Sequence, residues 1–339
     1  MYNTQILEIN EDLERTGKVI IGLGCSFVQG QGAFNDELYD KYKWVYKGLG
    51  SPLEIDVTPE QQKEIFAKYP DVKAAPGSPL PFDFKFMEYR NTFVNVLCKK
   101  YFNGDYTPIN LGIRGCGNRA TIKELYFRPE IRWDLVKEVI VVYCPSGLER
   151  FDFVNDAWDE HFHWKAMWPH FENMEDSPRK KLWEGYGKTL WSTKFEVIEQ
   201  VANVQELLTW CKLKNAKLII TPGFDRRYDK TTFKECLKTN IDRDMNGEIT
   251  KPKSHFFKFN TDEYLADLWP WENMFEPGGY KTFVDLTMAQ EPNLEDKMDH
   301  FFQFLGKGSP NGWVTPCSHP SAKAHDLFAE YLYKHIKGQ

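Results

Sequence analysis

A three-layer α/β/α sandwich with a mostly parallel sheet and long loop insertions is the fold this sequence predicts, and three observations predict it. Short apolar runs alternate with longer segments of helical periodicity. The runs are continuously apolar, as in parallel strands covered on both faces, and the first ends abruptly in a glycine-rich turn.

The elements follow in order. Residues 18–23 form the first buried strand and 107–111 a short second one; 138–143 (Glu-Val-Ile-Val-Val-Tyr) and 217–221 (Lys-Leu-Ile-Ile-Thr) are the third and fourth. Between them, 89–101 carries a stripe of Phe93, Val94, Val96, Leu97 and Tyr101. The segment 193–214 opens with Thr193-x-x-Glu196, a capping-box pattern, and repeats Phe195, Ile198, Val201, Leu208 and Cys211. A last helix starts at about Ser321, carries Leu327, Phe328, Leu332 and Ile336, and stops near Gly338. Three stretches break the alternation: 34–87, 154–188 and 224–280. They read as insertions into a single domain spanning 1–339.

Composition narrows the function classes. The 339 residues are 42% hydrophobic, enough for a substantial core, and the net charge of −6 is spread over mixed-sign segments. No basic stripe marks a phosphate-backbone footprint, so nucleic acid is not an expected partner. The N-terminus lacks a basic and an apolar leader region, and no apolar run is long enough for a bilayer, so a cytoplasmic location without membrane attachment is expected. Seven cysteines without a Cys-x-x-Cys pair predict reduced thiols.

The chemistry-bearing residues cluster at strand ends. Ser26 follows the first strand in Gly24-Cys-Ser-Phe-Val-Gln-Gly30, and a serine there lies at the carboxyl edge of the sheet. His319, in Cys317-Ser-His-Pro-Ser321, is offered at the mouth of the last helix. Arg150 suits an anionic substrate group or a salt bridge; Asn118 suits substrate contact or a bridge between loops.

Other patterns are weaker. Gly22-x-Gly24 fails as a dinucleotide fingerprint because Phe27 stands where a third glycine is needed. Cys25, Cys116, Cys144 and Cys317 adjoin four loops, yet spaced single cysteines more often serve as small apolar groups. Asp242, Asp244, Asn246 and Gly247 imitate half a calcium loop, but Lys253 occupies the position of its bidentate carboxylate. His161 and His163 fit an aromatic-histidine loop. No metal or cofactor is expected. Trp158, Trp164, Trp168, Trp183 and Trp191 suit a small core of their own or stacking on sugar rings.

Three motifs together carry a resemblance. Gly24-Cys-Ser26, Asn110-Leu-Gly-Ile-Arg-Gly115 and Ser318-His319-Pro320, in that order, resemble blocks one, two and five of the SGNH, or GDSL-type, hydrolase family. With Glu149-Arg150, they more narrowly resemble divergent members often encoded by tailed bacteriophages. The resemblance implies a flavodoxin-like sheet, Ser26 as nucleophile, His319 as general base, and Ser26 and Gly115 as backbone donors to an oxyanion. Ser146 stands about where the family places an asparagine, the third donor. Pro316 occupies the place of the family's acid, three residues before His319, which leaves Asp152, Glu149, Asp299 or a backbone carbonyl to orient the imidazole. The implied activity is deacylation, such as deacetylation, of a small-molecule or glycan ester, with association with a virus particle a further location. A noncatalytic phage-associated structural or glycan-binding protein on the same scaffold is the other reading. Oligomeric state is not legible.

Overall fold

Four of the apolar runs pair into one parallel sheet: β1 (Lys18–Gly24), β2 (Thr107–Asn110), β3 (Glu138–Cys144) and β4 (Lys217–Ile220), in the order β2-β1-β3-β4. This is a computed structural model, and it describes residues 3–33, 58–68, 88–155 apart from 114, 127 and 149, 163–167, 181, 193–238, 242–243, 249–250, 262–291, 304, 308–315 and 317–339. Register is set along the full length of β1, where Ile21 lies opposite Ile109 on one side and Val141 on the other.

The alternation of side chains explains why three layers form. Val19, Ile21, Leu23, Val139, Val141, Tyr143, Leu218 and Ile220 face one way, while Ile20, Ile140, Val142, Cys144 and Ile219 face the other. On the first face pack Ile9 and Leu13 of α1 (Asn3–Thr16) and Ile122 from further along the chain, with Val197, Val201 and Val204 beyond them. On the second face pack Val28, Phe93, Val94, Leu97, Val284, Phe328 and Leu332. Both faces are therefore buried, which is why the strands read as unbroken apolar runs.

The helices refine the expected pattern. Between β1 and β2 lie the single turn α2 (Ser26–Gln29) and α3 (Phe93–Val96), which runs on into a π-helical turn at Leu97–Tyr101. The helix expected over 89–101 is broken at Thr92, whose side chain accepts the N–H of Asn95 and caps α3. After β2 comes α4 (Asn118–Lys123), and after β3 the long α5 (Thr193–Leu213). Its buried stripe is Val197, Val201, Val204, Leu207 and Cys211; Phe195, expected inside, is 37% exposed. The last helices are α6 (Lys230–Lys238), α7 (Asp262–Asp267), α8 (Phe283–Ala289) and α9 (Ala322–Lys337), the last with Gly338 as a left-handed C-cap at φ 71°.

One expected insertion belongs to the core instead. Within 224–280, Tyr228, Phe233 and Trp269 form a buried aromatic cluster on the first face, with ring centroids 5.2 Å apart between Trp269 and each of the other two. Met274 bridges Ile220 in parallel, and the Phe275 N–H donates to the Ile220 carbonyl at 2.8 Å, so this segment also covers the free edge of β4. Widely spaced aromatics with polar neighbours concealed that role in the sequence. Most of 34–87 and 154–188 lies outside the described residues, apart from a helix at Pro59–Lys68 and an antiparallel hairpin of Phe151–Asn155 with His163–Met167. Among the described residues, no helix is long and apolar enough to cross a membrane.

Candidate active site

The strand order reverses at β1: the chain passes from β1 to β2 on one side, then to β3 on the other. In an open α/β sheet such a switch point opens a crevice beyond the strands' carboxyl ends. The segments after β1, β2, β3 and β4 all emerge there, and the 314–320 turn joins them from the C-terminal side.

Ser26 is set by the glycine before it. Gly24 has φ 155°, and a Cβ there would lie 2.6 Å from the Cys144 carbonyl oxygen, so only glycine lets β1 end this close to β3. The chain then turns at once into α2, with Cys25 as N-cap and Ser26 as the first helical residue, where its N–H has no intrahelical acceptor. Gly30, at φ 82°, ends the turn.

His319 meets Ser26 across 293 residues of sequence. Its Nε2 lies 2.7 Å from Ser26 Oγ, and its Nδ1 lies 2.7 Å from the Cys317 carbonyl oxygen. A carbonyl can only accept, so Nδ1 carries the hydrogen and Nε2 presents its lone pair to the serine hydroxyl. The imidazole also packs on Phe27, with centroids 5.0 Å apart. Ser26 and His319 are 6% and 9% exposed, so water competes little for this bond.

The loop after β2 is stitched beside α2. The Leu111 and Ile113 N–H groups donate to the Gly22 and Gly24 carbonyls at 2.9 Å, continuing the ladder past the strand. Asn110 Nδ2 donates to the Val28 carbonyl at 2.8 Å, and a Cβ on Gly112 would stand 2.9 Å from Gln29 Cα. Gly115, at φ 67°, turns the end of this loop.

A second polar group lies beyond β3. Asn118 Oδ1 accepts the Ser146 N–H at 2.6 Å and its hydroxyl at 3.2 Å; Asn118 Nδ2 donates to Tyr228 Oη at 3.0 Å and to the Ser146 carbonyl at 3.3 Å. Asp152 accepts the N–H groups of Gly117 at 2.6 Å and Ala120 at 2.9 Å, capping α4. Burial raises the Asp152 carboxyl to about 6, against the lowering by those N–H groups and by Arg150. Asp225 fixes the same loop by accepting the Leu148 N–H at 2.9 Å, with Arg227 paired to it at 2.6 Å.

Several expectations change accordingly. Asn118 is a bridge between loops rather than a substrate contact, since both ends of its amide are engaged inside the protein. The Ser146 hydroxyl donates to Asn118, so it is not free to act as a third oxyanion donor. Asp152 does not orient His319: its oxygens hold the start of α4, and His319 Nδ1 bonds the Cys317 carbonyl. Glu149 and Asp299 lie outside the described residues. Arg150 donates to the Cys116 carbonyl at 3.2 Å and lies 5.2 Å from the centre of the Phe224 ring, which itself packs 5.3 Å from Phe27.

The four loop cysteines are buried thiols, and burial raises Cys116 and Cys144 well above the ordinary range. Among the described residues, no group of three or more His, Cys, Asp or Glu side chains is placed to hold a metal. Most of the calcium-like segment, together with His161 and the indoles of the tryptophan-rich stretch, falls outside the described residues. His325 is fully buried with Nδ1 accepting the Phe93 N–H at 3.2 Å; burial, with His319 nearby, lowers it to about 3.

Sequence reasoning missed Thr315 and Glu291. Glu291 accepts the Ser309 hydroxyl and the Trp313 N–H, the latter at 3.2 Å, and so builds the approach to the histidine turn. Neither residue belongs to a motif; only the folded loop shows their use. No family model matches the chain, and no curated protein matches it.

Proposed function

We propose that the protein is a serine ester hydrolase of SGNH type that works through a Ser26–His319 dyad. The observation that supports this most is the 2.7 Å contact between His319 Nε2 and Ser26 Oγ, in a ring whose tautomer the Cys317 carbonyl dictates. A serine hydroxyl is a poor nucleophile until a base removes its proton as it attacks, and a neutral imidazole at hydrogen-bond distance is suited to that.

The reaction runs in two halves. Ser26 Oγ bonds to the ester carbonyl carbon while its proton passes to Nε2, and the carbonyl π electrons move to oxygen. The tetrahedral species collapses, the alcohol leaves with the proton from Nε2, and an acyl-Ser26 ester remains. Water then attacks that ester, giving its proton to Nε2; collapse releases the carboxylic acid and returns the proton to Ser26. The Ser26 and Gly115 N–H groups serve as oxyanion donors. Each good donor is worth about 3 kcal/mol in the transition state, so a two-donor hole makes a slower enzyme than a three-donor one.

An acylated carbohydrate or related polymer is the substrate class, by resemblance to SGNH deacetylases and by the aromatic content of the chain. The engaged Ser146 hydroxyl favours the noncatalytic glycan-binding alternative, because the third donor has no evident replacement among the described residues. Turnover of 4-nitrophenyl acetate and labelling by a fluorophosphonate probe separate the two. Wild type reacts and Ser26→Ala does not if the protein is an esterase; equal behaviour of both removes Ser26 from the mechanism.

A further inference from the structure

The side chain of Thr315 is tied into the turn that delivers His319. Thr315 N–H donates to the His319 carbonyl at 2.8 Å, and Thr315 Oγ1 donates to the same oxygen at 3.0 Å. The same hydroxyl oxygen accepts the His319 N–H at 3.3 Å and lies 3.0 Å from Cys317 Sγ, which can donate to it. One donor and two acceptor sites exhaust a hydroxyl. Both main-chain polar groups of the histidine thus end on Thr315.

The turn is also strained and tightly seated. Ser318 sits at φ 56°, a left-handed conformation that costs a non-glycine residue free energy unless its surroundings enforce it. Enforcement comes from the Thr315 bonds, from the Ser318 N–H donating to the Thr315 carbonyl at 2.9 Å, and from the Val314–Pro320 bridge. The turn rests on Gly32: a Cβ there would meet Cys317 Sγ and lie 2.8 Å from Thr315 Oγ1. Gly32 is fixed in turn by its N–H donating to the buried Glu88 carboxylate at 2.8 Å. The second glycine-rich step after Ser26 is therefore the seat for the histidine turn.

We propose that Thr315 is the positioning residue of the dyad, its hydroxyl fixing the main chain of His319 so that the ring nitrogen Nδ1 meets the Cys317 carbonyl. The inference rests on the esterase reading. An acid in a triad holds the imidazole by its side-chain nitrogen. Here the hold is applied at the backbone, and the ring nitrogen meets a carbonyl two residues upstream.

The test uses the full chain with Thr315→Val, which keeps the shape and removes the hydroxyl, and Thr315→Ser, which keeps the hydroxyl. Thr315→Ala replaces the valine variant if that one loses the wild-type circular dichroism spectrum. With 4-nitrophenyl acetate, loss of the hydroxyl lowers kcat by about 10²-fold, as small misplacements of a catalytic group do. KM stays within about twofold and Thr315→Ser returns most of the rate. The proton NMR signal of the His319 Nδ1–H, held downfield by its bond to a carbonyl, broadens or vanishes in the hydroxyl-free variant and persists in Thr315→Ser. A folded hydroxyl-free variant with wild-type kcat overturns the proposal whatever its Nδ1–H signal, and so does one whose lowered kcat Thr315→Ser does not restore. Ser26→Ala run in parallel keeps the two ideas apart: if it turns over like wild type, the esterase reading itself fails, whereas an inert Ser26→Ala beside a fully active Thr315→Val sinks only the role of Thr315.

Discussion

Two buried polar constellations share the carboxyl edge of the sheet, and they differ in what their hydrogen bonds leave available. Around Asn118, Ser146 and Asp152, donors and acceptors end on one another, on Tyr228 Oη or on backbone, and the result is a fixed brace between the loops after β2, β3 and β4. Around Ser26 and His319, the backbone fixes only one ring nitrogen, and the other faces a hydroxyl whose proton it can take. Burial strengthens both sets, because a lost partner is costly where water cannot replace it. A network that ends only on itself makes structure; on the mechanism proposed above, the hydrogen bond from Ser26 to His319 is one along which a proton can move.

The contrast breaks most visibly at His319. On the proposed mechanism His319→Ala removes the base and lowers turnover of 4-nitrophenyl acetate by about 10³- to 10⁴-fold in the molecules that stay folded, as loss of a dyad member does elsewhere. Steady-state kinetics reads the turnover and a melting curve the folded fraction.

Asn118→Ala inverts that pattern. It strands the N–H and the hydroxyl of Ser146, each costing about 2 kcal/mol when buried without a partner. A urea titration should register a loss of about 4 kcal/mol, whereas kcat falls less than tenfold under conditions where the variant is folded. A large kcat loss with unchanged stability would move Asn118 into the reactive group.

Asp152 sharpens the comparison through pH. Its folded value, about 6, lies above the ordinary 3.8, so between those values the folded state holds the extra proton. Its contribution to stability is therefore lost as pH rises from about 4 to 6, by up to about 3 kcal/mol. His325 acts oppositely: its folded value near 3 lies below 6.5, so its contribution grows as pH rises through that window. Urea midpoints of wild type and Asp152→Asn across pH 4 to 7 cancel the histidine, and the carboxyl carbon resonance of Asp152 should titrate near 6.

The smallest change is a yardstick at a residue that belongs to neither group. Thr282 caps α8 by accepting the Asp285 N–H at 2.9 Å. Thr282→Ala should cost about 1 kcal/mol and leave kcat unchanged, which sets the scale of an ordinary lost cap.

Legibility followed the range of the forces. The four strands are legible because a fully covered strand needs an unbroken apolar run, and Ser26 is legible because its run ends in a glycine. α1 and α4 are not legible: α1 is largely polar, with Ile9 and Leu13 the buried ones among its described side chains, and α4 takes its cap from Asp152, distant in sequence. The core role of 224–280 escaped for the same reason, since Tyr228, Phe233 and Trp269 make sense only once they touch.

By itself the sequence determined the layered fold, the strand end that carries Ser26 and the two side chains proposed as a dyad, because these depend on short-range periodicity and residue type. Only the tertiary structure decided which carboxylate caps a helix, which amide braces a loop, and that the Cys317 carbonyl meets Nδ1 of His319. Hydrogen bonds are satisfied by whatever lies within about 3 Å in space, and distance along the chain does not encode that.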